Sequence, residues 1–215
     1  MKKISIIFAA ACVMIAAGCN WLGIQGNRHI KTDERVVSAF ANIEARGAFE
    51  IEWQHGPPSL RIITDGNLLR YIQSDVSDDT LRLRTREQLR PTHGVRVLIS
   101  SPTRIGAKIS GAVKLTANQL TGSKFALQST GAARVSLDGS VDELLADMSG
   151  ASKLIAGGLQ TKTAEISTTG AGNAEIAVAD TLKVAITGAG KVEYSGNPAT
   201  VEKHISGAGS VRRKD

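Results

Sequence analysis

The phrase Ser/Thr-Gly-Ala returns six times in the second half of this chain. Its glycines are Gly111, Gly131, Gly150, Gly170, Gly188 and Gly207, so the successive intervals are 20, 19, 20, 18 and 19 residues. A repeat near that length is the signature of a solenoid, in which each unit is one coil stacked on the last. No other feature of the sequence restricts the fold as strongly.

Aligning the repeats on the glycine exposes a period of two. Four residues after it stand Leu115, Val135, Leu154, Ala174, Val192 and Val211, and six after it Ala117, Leu137, Ala156, Ile176 and Tyr194. Four before it stand Ala107, Leu127, Ala146, Ile166 and Val184, until Lys203 breaks the column. Polar residues fill most positions between, which is the pattern of a strand with one buried face. Helical spacing does not fit, because Thr, Ser, Val, Ile and Gly are too frequent for helix interiors. Each coil therefore has two strand-like arcs, with one corner at Ser/Thr-Gly-Ala. The other corner is expected at Gly122, Gly139, Gly157-Gly158, Asp180 and Gly196-Asn197-Pro198. Glycine suits a corner because it takes positive φ without steric cost. The expected fold is all-β: a parallel β-solenoid of about 19–20 residues per coil, its coils about 4.8 Å apart. The six marked coils stand roughly 25–30 Å tall by that spacing.

The chain begins as an exported protein does. Lys2-Lys3 precedes an apolar run from Ile4 to Ala17, which is short for a bilayer span and reads as a secretory signal. The run ends Ala16-Ala17-Gly18-Cys19, which resembles a bacterial lipobox and marks Cys19 for lipidation. Asn20 after the cysteine implies, by likeness to Gram-negative lipoproteins, sorting to the outer membrane. Cys12 leaves with the signal, so no disulfide and no cysteine-based metal site is expected in the mature chain. Lys2 and Lys3 leave too, so 24 basic residues face 20 acidic ones and the net charge falls from +6 to +4. The expected organisation is a signal peptide over 1–18, a lipidated N-terminus and tether over 19–35, and a single domain over 36–215. Within that domain 36–102 forms irregular coils and 103–211 the repeats. Strands are expected at Val36–Ile43, Ala48–Gln54, Leu60–Thr64, around Leu81 and Leu83, and at Val95–Ser100. Asn67 is expected to cap a short helix through Gln73.

An ordered set of these pieces resembles one family. Gly47-Ala48-Phe49-Glu50-Ile51, Gln54-His55-Gly56 and Thr64-Asp65-Gly66-Asn67-Leu68 lead into the Ser/Thr-Gly-Ala corners. Val192-Glu193-Tyr194-Ser195-Gly196-Asn197-Pro198 and the last Ser206-Gly207-Ala208-Gly209 follow. Over about residues 36–211 the chain is similar to the head GIN domain family, the auto-transporter adhesins of the bacterial envelope. The resemblance implies a β-solenoid related in shape to right-handed pectin-lyase-like helices, a role in adhesion, and no established catalytic residues. The sequence has neither a membrane barrel nor a heptad stalk, so a lipid-anchored head fits better than a true autotransporter.

Few residues carry chemistry. His29, His55, His93 and His204 lack a second metal-type ligand at usable spacing and read as surface or turn residues. Gly170-Ala-Gly172 and Gly188-Ala-Gly190 do not complete a dinucleotide or phosphate loop. Asp138, Asp142, Glu143 and Asp147 form the densest acidic neighbourhood and read as solvated surface. No catalytic, cofactor or metal site is assigned.

One outward column stands apart. Three residues after the corner glycines come Lys114, Arg134, Lys153, Asn173, Lys191 and Ser210. Stacked in register, the first three form a ladder of like charge, which is unfavourable between neighbouring strands. Lys114, Arg134, Lys153 and Lys191 are therefore the candidate site for an anionic partner, an acidic glycan or lipopolysaccharide. Glu175 and Glu193 lie where they neutralise the lower rungs. Nucleic acid is not expected, because no aromatic residues interleave with the basic ones. The functional expectation is a non-enzymatic, adhesin-like binding module of the envelope, held to the membrane by its lipid. The rival reading is a scaffold that self-associates by end-to-end stacking into a homo-oligomer. A carbohydrate-active β-helix enzyme ranks below both.

Overall fold

A computed structural model describes residues 23–214. The signal segment and Cys19 lie outside the described residues. In chain order the strands are β1 (Ile24–Gln25), β2 (Ile30–Arg35), β3 (Asn42–Gly47), β4 (Glu50–His55), β5 (Ser59–Asp65), β6 (Ile72–Ser77), β7 (Thr80–Thr85), β8 (Leu89–Arg90) and β9 (Arg96–Ser101). The repeats supply β10 (Gly106–Gly111), β11 (Lys114–Gly131), β12 (Arg134–Gly150), β13 (Lys153–Gly170), β14 (Asn173–Gly188), β15 (Lys191–Ser195), β16 (Thr200–Gly207) and β17 (Ser210–Arg213). β1 and β8 pair with each other, and the other fifteen strands form one continuous sheet. Among the described residues the one helical turn is the 3-10 turn Leu69–Tyr71.

The repeats form a parallel β-solenoid. Gly111, Gly131, Gly150, Gly170, Gly188 and Gly207 stack directly on one another, enclosing five turns. Their φ angles run from 92° to 116°. Two demands meet at each corner. The backbone needs a left-handed turn, and the next coil sits too close for a side chain. A Cβ on Gly150 would lie 2.7 Å from the Gly131 carbonyl oxygen. That closeness serves a hydrogen bond: Ala132 N–H donates to Gly111 O, Ala151 to Gly131 O, Ala171 to Gly150 O and Ala189 to Gly170 O, at 2.8–3.0 Å.

Gly47 is a seventh corner. It is paired with Gly111, has φ 134°, and its carbonyl accepts from Ala112 N–H at 3.0 Å. The coil 42–55 therefore lies directly beneath the repeats. The coil that follows it in sequence, β7 and β9, is tucked below it instead. Two antiparallel additions extend this lower part, β6 on β7 and β2–β5 on β9. The early strands are the less regular coils expected, but their stacking order is not their chain order.

The interior is tuned at the corner. Two residues past each glycine stand Phe49, Val113, Ala133, Ser152, Gly172, Gly190 and Gly209, an almost steady loss of volume. Opposite them, two residues before the glycine, stand Ala45, Ile109, Ser129, Met148, Thr168, Ile186 and Ile205. The volume is returned where it was lost: a Cβ on Gly172 would strike Thr168 Oγ1, and one on Gly209 would lie 2.5 Å from Ile186 Cγ2. The Gly-Ala-Gly phrases are thus packing devices. The second corner is looser and absorbs the uneven repeat length, with register shifts at Ala117/Leu120, Ser136/Asp138 and Ala156/Gln160. At Gln119, φ is 54° without glycine. Buried Arg104 holds that bend, donating to the carbonyls of Asn118, Gln119 and Trp53. Trp53 packs between Phe40 and Phe125, with ring centroids 6.2 and 6.4 Å apart.

The tether expected over 19–35 is corrected from residue 23 onward. β2 pairs along its length with β5, and β1 pairs with β8. The anchor is Asp65, which is fully buried. Its carboxylate accepts from Arg28 N–H at 2.7 Å, Thr92 N–H at 2.8 Å and Thr92 Oγ1 at 2.9 Å. Gly26 has no Cβ because Asp65 lies within 2.3 Å of its place. Asn67 does not cap a helix. Its Oδ1 accepts from Asn27 N–H and its Nδ2 donates to Gln25 O, at 3.0 and 2.8 Å. The first strand expected, Val36–Ile43, is displaced to Asn42–Gly47, and the hairpin strand β6 is additional.

Two predictions follow from this anatomy. Gly150→Val costs more than about 1 kcal/mol in chemical denaturation, through strain at positive φ added to the clash with Gly131. The second concerns Asp65. Burial pushes its carboxyl upward, but the bonds from Thr92 and Arg28 outweigh that and hold it below its usual value. A folded value below the unfolded one means that the latch stabilises fully above about pH 4 and weakens as pH falls through the folded value. Hydrogen-exchange protection of residues 24–29 should drop below about pH 4, before that of β12 and β13. Asp65→Ala should remove that protection at neutral pH.

Candidate functional site

Alternation places every second residue of β11–β15 outside, and parallel register lines those residues up. The column three past the corner reads Arg96, Glu50, Lys114, Arg134, Lys153, Asn173, Lys191, Ser210 from coil to coil. The neighbouring outward column reads Leu98, Glu52, Thr116, Ser136, Ile155, Glu175, Glu193, Arg212. The structure thus brings Lys114, Arg134, Lys153 and Lys191 onto one face.

They are not equivalent. Lys114 Nζ donates to Glu50 Oε1 at 2.6 Å, and Arg96 reaches Glu52 at 3.1 Å. The Lys114 hydrogen bond holds the Glu50 carboxyl below its usual value against the opposing effect of burial, and the Lys114 and Arg96 charges add to it. Lys191 Nζ lies 2.7 Å from Glu193 Oε1, and that hydrogen bond depresses the Glu193 carboxyl. Lys214 meets Glu175 at 2.6 Å, which raises the lysine. Arg134 and Lys153, on adjacent coils, are exposed and make no ion pair among the described residues. The four-member ladder therefore reduces to one unpaired pair of cations, bracketed by neutralised rungs. The repeats alone do not point to Glu50 and Glu52, which precede the first repeat by a long excursion. The signal for them is Gly47-Ala48, which sets Glu50 three residues past a corner.

The other candidates disperse. Asp142 pairs with Lys162 at 2.7 Å and Glu143 with Lys124 at 3.3 Å. Asp147 lies on the opposite side of the corner, in a groove shared with Glu44, Arg46, Lys108 and Gln128. His93 contacts Thr92 Oγ1 at 3.1 Å. Among the described residues no three His, Cys, Asp or Glu side chains converge as a metal site, and no helix is long and apolar enough to cross a membrane.

A family model described as "Putative auto-transporter adhesin, head GIN domain" matches residues 39–198. The chain belongs to this family. The head GIN fold here is similar to that of a putative adhesin from Bacteroides fragilis, with TM-score 0.74 and 22% identity over 89% of this chain and 100% of that one. A putative adhesin from Parabacteroides merdae gives TM-score 0.56 and 19% identity over 90% and 100% of the two chains. A putative lipid binding protein from Parabacteroides distasonis gives 0.55 and 20% over 89% and 99%. At these identities the likeness shows the fold. No curated protein matches the chain.

The two unpaired cations of this head GIN domain repel each other across adjacent strands. Lys153→Glu converts that repulsion into attraction and should raise stability by about 0.2–1 kcal/mol in urea denaturation. A loss of stability would mean that Arg134 and Lys153 are not neighbours on one face.

Proposed function

We propose that this head GIN domain is a non-enzymatic, adhesin-like binding head of the cell envelope, and that it engages an acidic glycan or the phosphate-bearing sugars of lipopolysaccharide through Arg134 and Lys153. The observation that carries the reading is their lack of partners. Every other cation in that column lies against a carboxylate: Lys114 on Glu50, Arg96 on Glu52, Lys191 on Glu193. Fold stability alone favours an ion pair for Arg134 and Lys153 as well, and among the described residues neither makes one. An external anion supplies the missing charge. Membership of an adhesin family supports the same class of role.

Lipidation of Cys19 holds the head at the outer membrane in this reading. Its support is the lipobox-like run before Cys19 and Asn20 after it. The stacking scaffold gains no support from the fold. Inward positions on β2 and β16 carry Lys31, Asp33, Arg35 and Lys203, and charges pointing into a strand edge discourage edge-to-edge pairing.

A glycan and lipopolysaccharide screen at low and high salt tests the binding role. Binding should weaken with salt, and the double variant Arg134→Glu, Lys153→Glu should abolish it while circular dichroism stays unchanged. Binding that ignores salt and the double variant would overturn the assignment. For the anchor, Cys19→Ser should move the protein from the membrane to the soluble fraction.

A further inference from the structure

The face around Arg134 and Lys153 has a definite charge order. Along the outward column that neighbours the ladder, Glu52, Thr116, Ser136, Ile155 and Glu175 stand on five successive coils. The two carboxylates are thus about 19 Å apart, four strand spacings. Between them the only charges free to meet a ligand are Arg134 and Lys153. Around them most charges come as closed pairs, Lys114 with Glu50, Arg96 with Glu52, Lys214 with Glu175 and Lys191 with Glu193, and the next open cation on this face is Arg212, beyond Glu193.

Two shallow pockets lie on either side. One, of about 170 Å³, is lined by Glu50, Glu52, Gln54, Lys114, Thr116 and Asn118. The other, of about 190 Å³, is lined by Lys153, Asn173, Glu175, Lys191 and Glu193. Each offers carboxylate and amide acceptors beside ammonium and amide donors, with nearly balanced charge. Such walls suit the hydroxyl groups of neutral sugars. Apart from Lys153, which already belongs to the anion site, they give nothing to a further anion, which would meet a carboxylate whose cation is satisfied.

Resting on the acidic-glycan reading, we infer that this face selects glycans whose acidic groups are sparse: one anionic sugar on Arg134 and Lys153, with neutral sugars on the flanking pockets along the stack. Dense polyanions are rejected. A chain with a charge on every sugar gains from two cations only, and sets its remaining charges against Glu50 and Glu52 on one side and Glu175 and Glu193 on the other. Affinity should therefore not rise with ligand charge density, as it does on an open basic surface.

The test uses the mature full chain and two oligosaccharide probes of equal length at low salt. Gellan fragments carry a single glucuronate in each four-sugar repeat, whereas oligogalacturonate carries a carboxylate on every sugar. Gellan fragments should bind about tenfold more tightly. The double variant Glu50→Gln, Glu175→Gln frees Lys114 and Lys214 and should erase that preference by strengthening oligogalacturonate binding. These carboxylates sit in exposed surface pairs, so the fold should tolerate the change, and circular dichroism checks it. If oligogalacturonate binds as well as gellan or better, through Arg134 and Lys153, the selectivity is overturned while the anion site stands. If neither probe binds, both fall.

Discussion

Everything in this molecule depends on how closely one coil sits upon the next at the glycine corner. From Ala112 to Ala189 the alanine N–H after the corner donates to the glycine carbonyl one coil away. That bond exists only because no Cβ intervenes, and because the turn adopts a φ that other residues resist. Close stacking at the corner keeps the two walls in parallel register through β16 and β17. Register in turn sets which outward residues become neighbours. The basic pair Arg134 and Lys153 therefore owes its existence to Gly131 and Gly150, more than to any contact of its own.

The interior obeys a second constraint. Towards the C-terminal coils the corner leaves little room for two large residues facing each other. Volume is traded across it, from Phe49 opposite Ala45 to Gly190 opposite Ile186. Where the coil departs from the repeat, hydrogen-bonded polar groups replace that packing. Arg104 is buried with three carbonyls to hold a left-handed bend at Gln119, and Asp65 is buried to fasten the segment that leads in from the N-terminus. Buried groups of this kind are tolerable because they are hydrogen-bonded.

Surface electrostatics follows the same logic with one exception. On the ladder face most cations close into pairs with a carboxylate: Arg96 with Glu52, Lys114 with Glu50, Lys191 with Glu193 and Lys214 with Glu175. Exposed pairs of this kind contribute little to stability, but they remove free charge. By neutralising their own rungs, Glu50, Glu52 and Glu193 leave the ladder column with open positive charge on two neighbouring coils only. The site is defined as much by the charges that are cancelled as by those that remain.

By itself the sequence determined the solenoid, its coil length, the glycine corners, the inward columns and the alignment of Lys114, Arg134, Lys153 and Lys191. Each of these follows from a local rule repeated at constant spacing: period two for burial, positive φ for glycine, equal intervals for register. Only the tertiary structure decided which coil lies under Gly111. Gly47 takes that place across an excursion of some sixty residues, and no local pattern reports a contact closed over so long a loop. The same event carried Glu50 onto Lys114 and Glu52 beside Arg96, and so decided which cations stay open. It also turned the expected tether into paired strands, because the partners of residues 24–35 lie far along the chain, at Asp65, Leu89 and Thr92. Periodicity is written locally; neutralisation and latching depend on which distant residues come to share a surface.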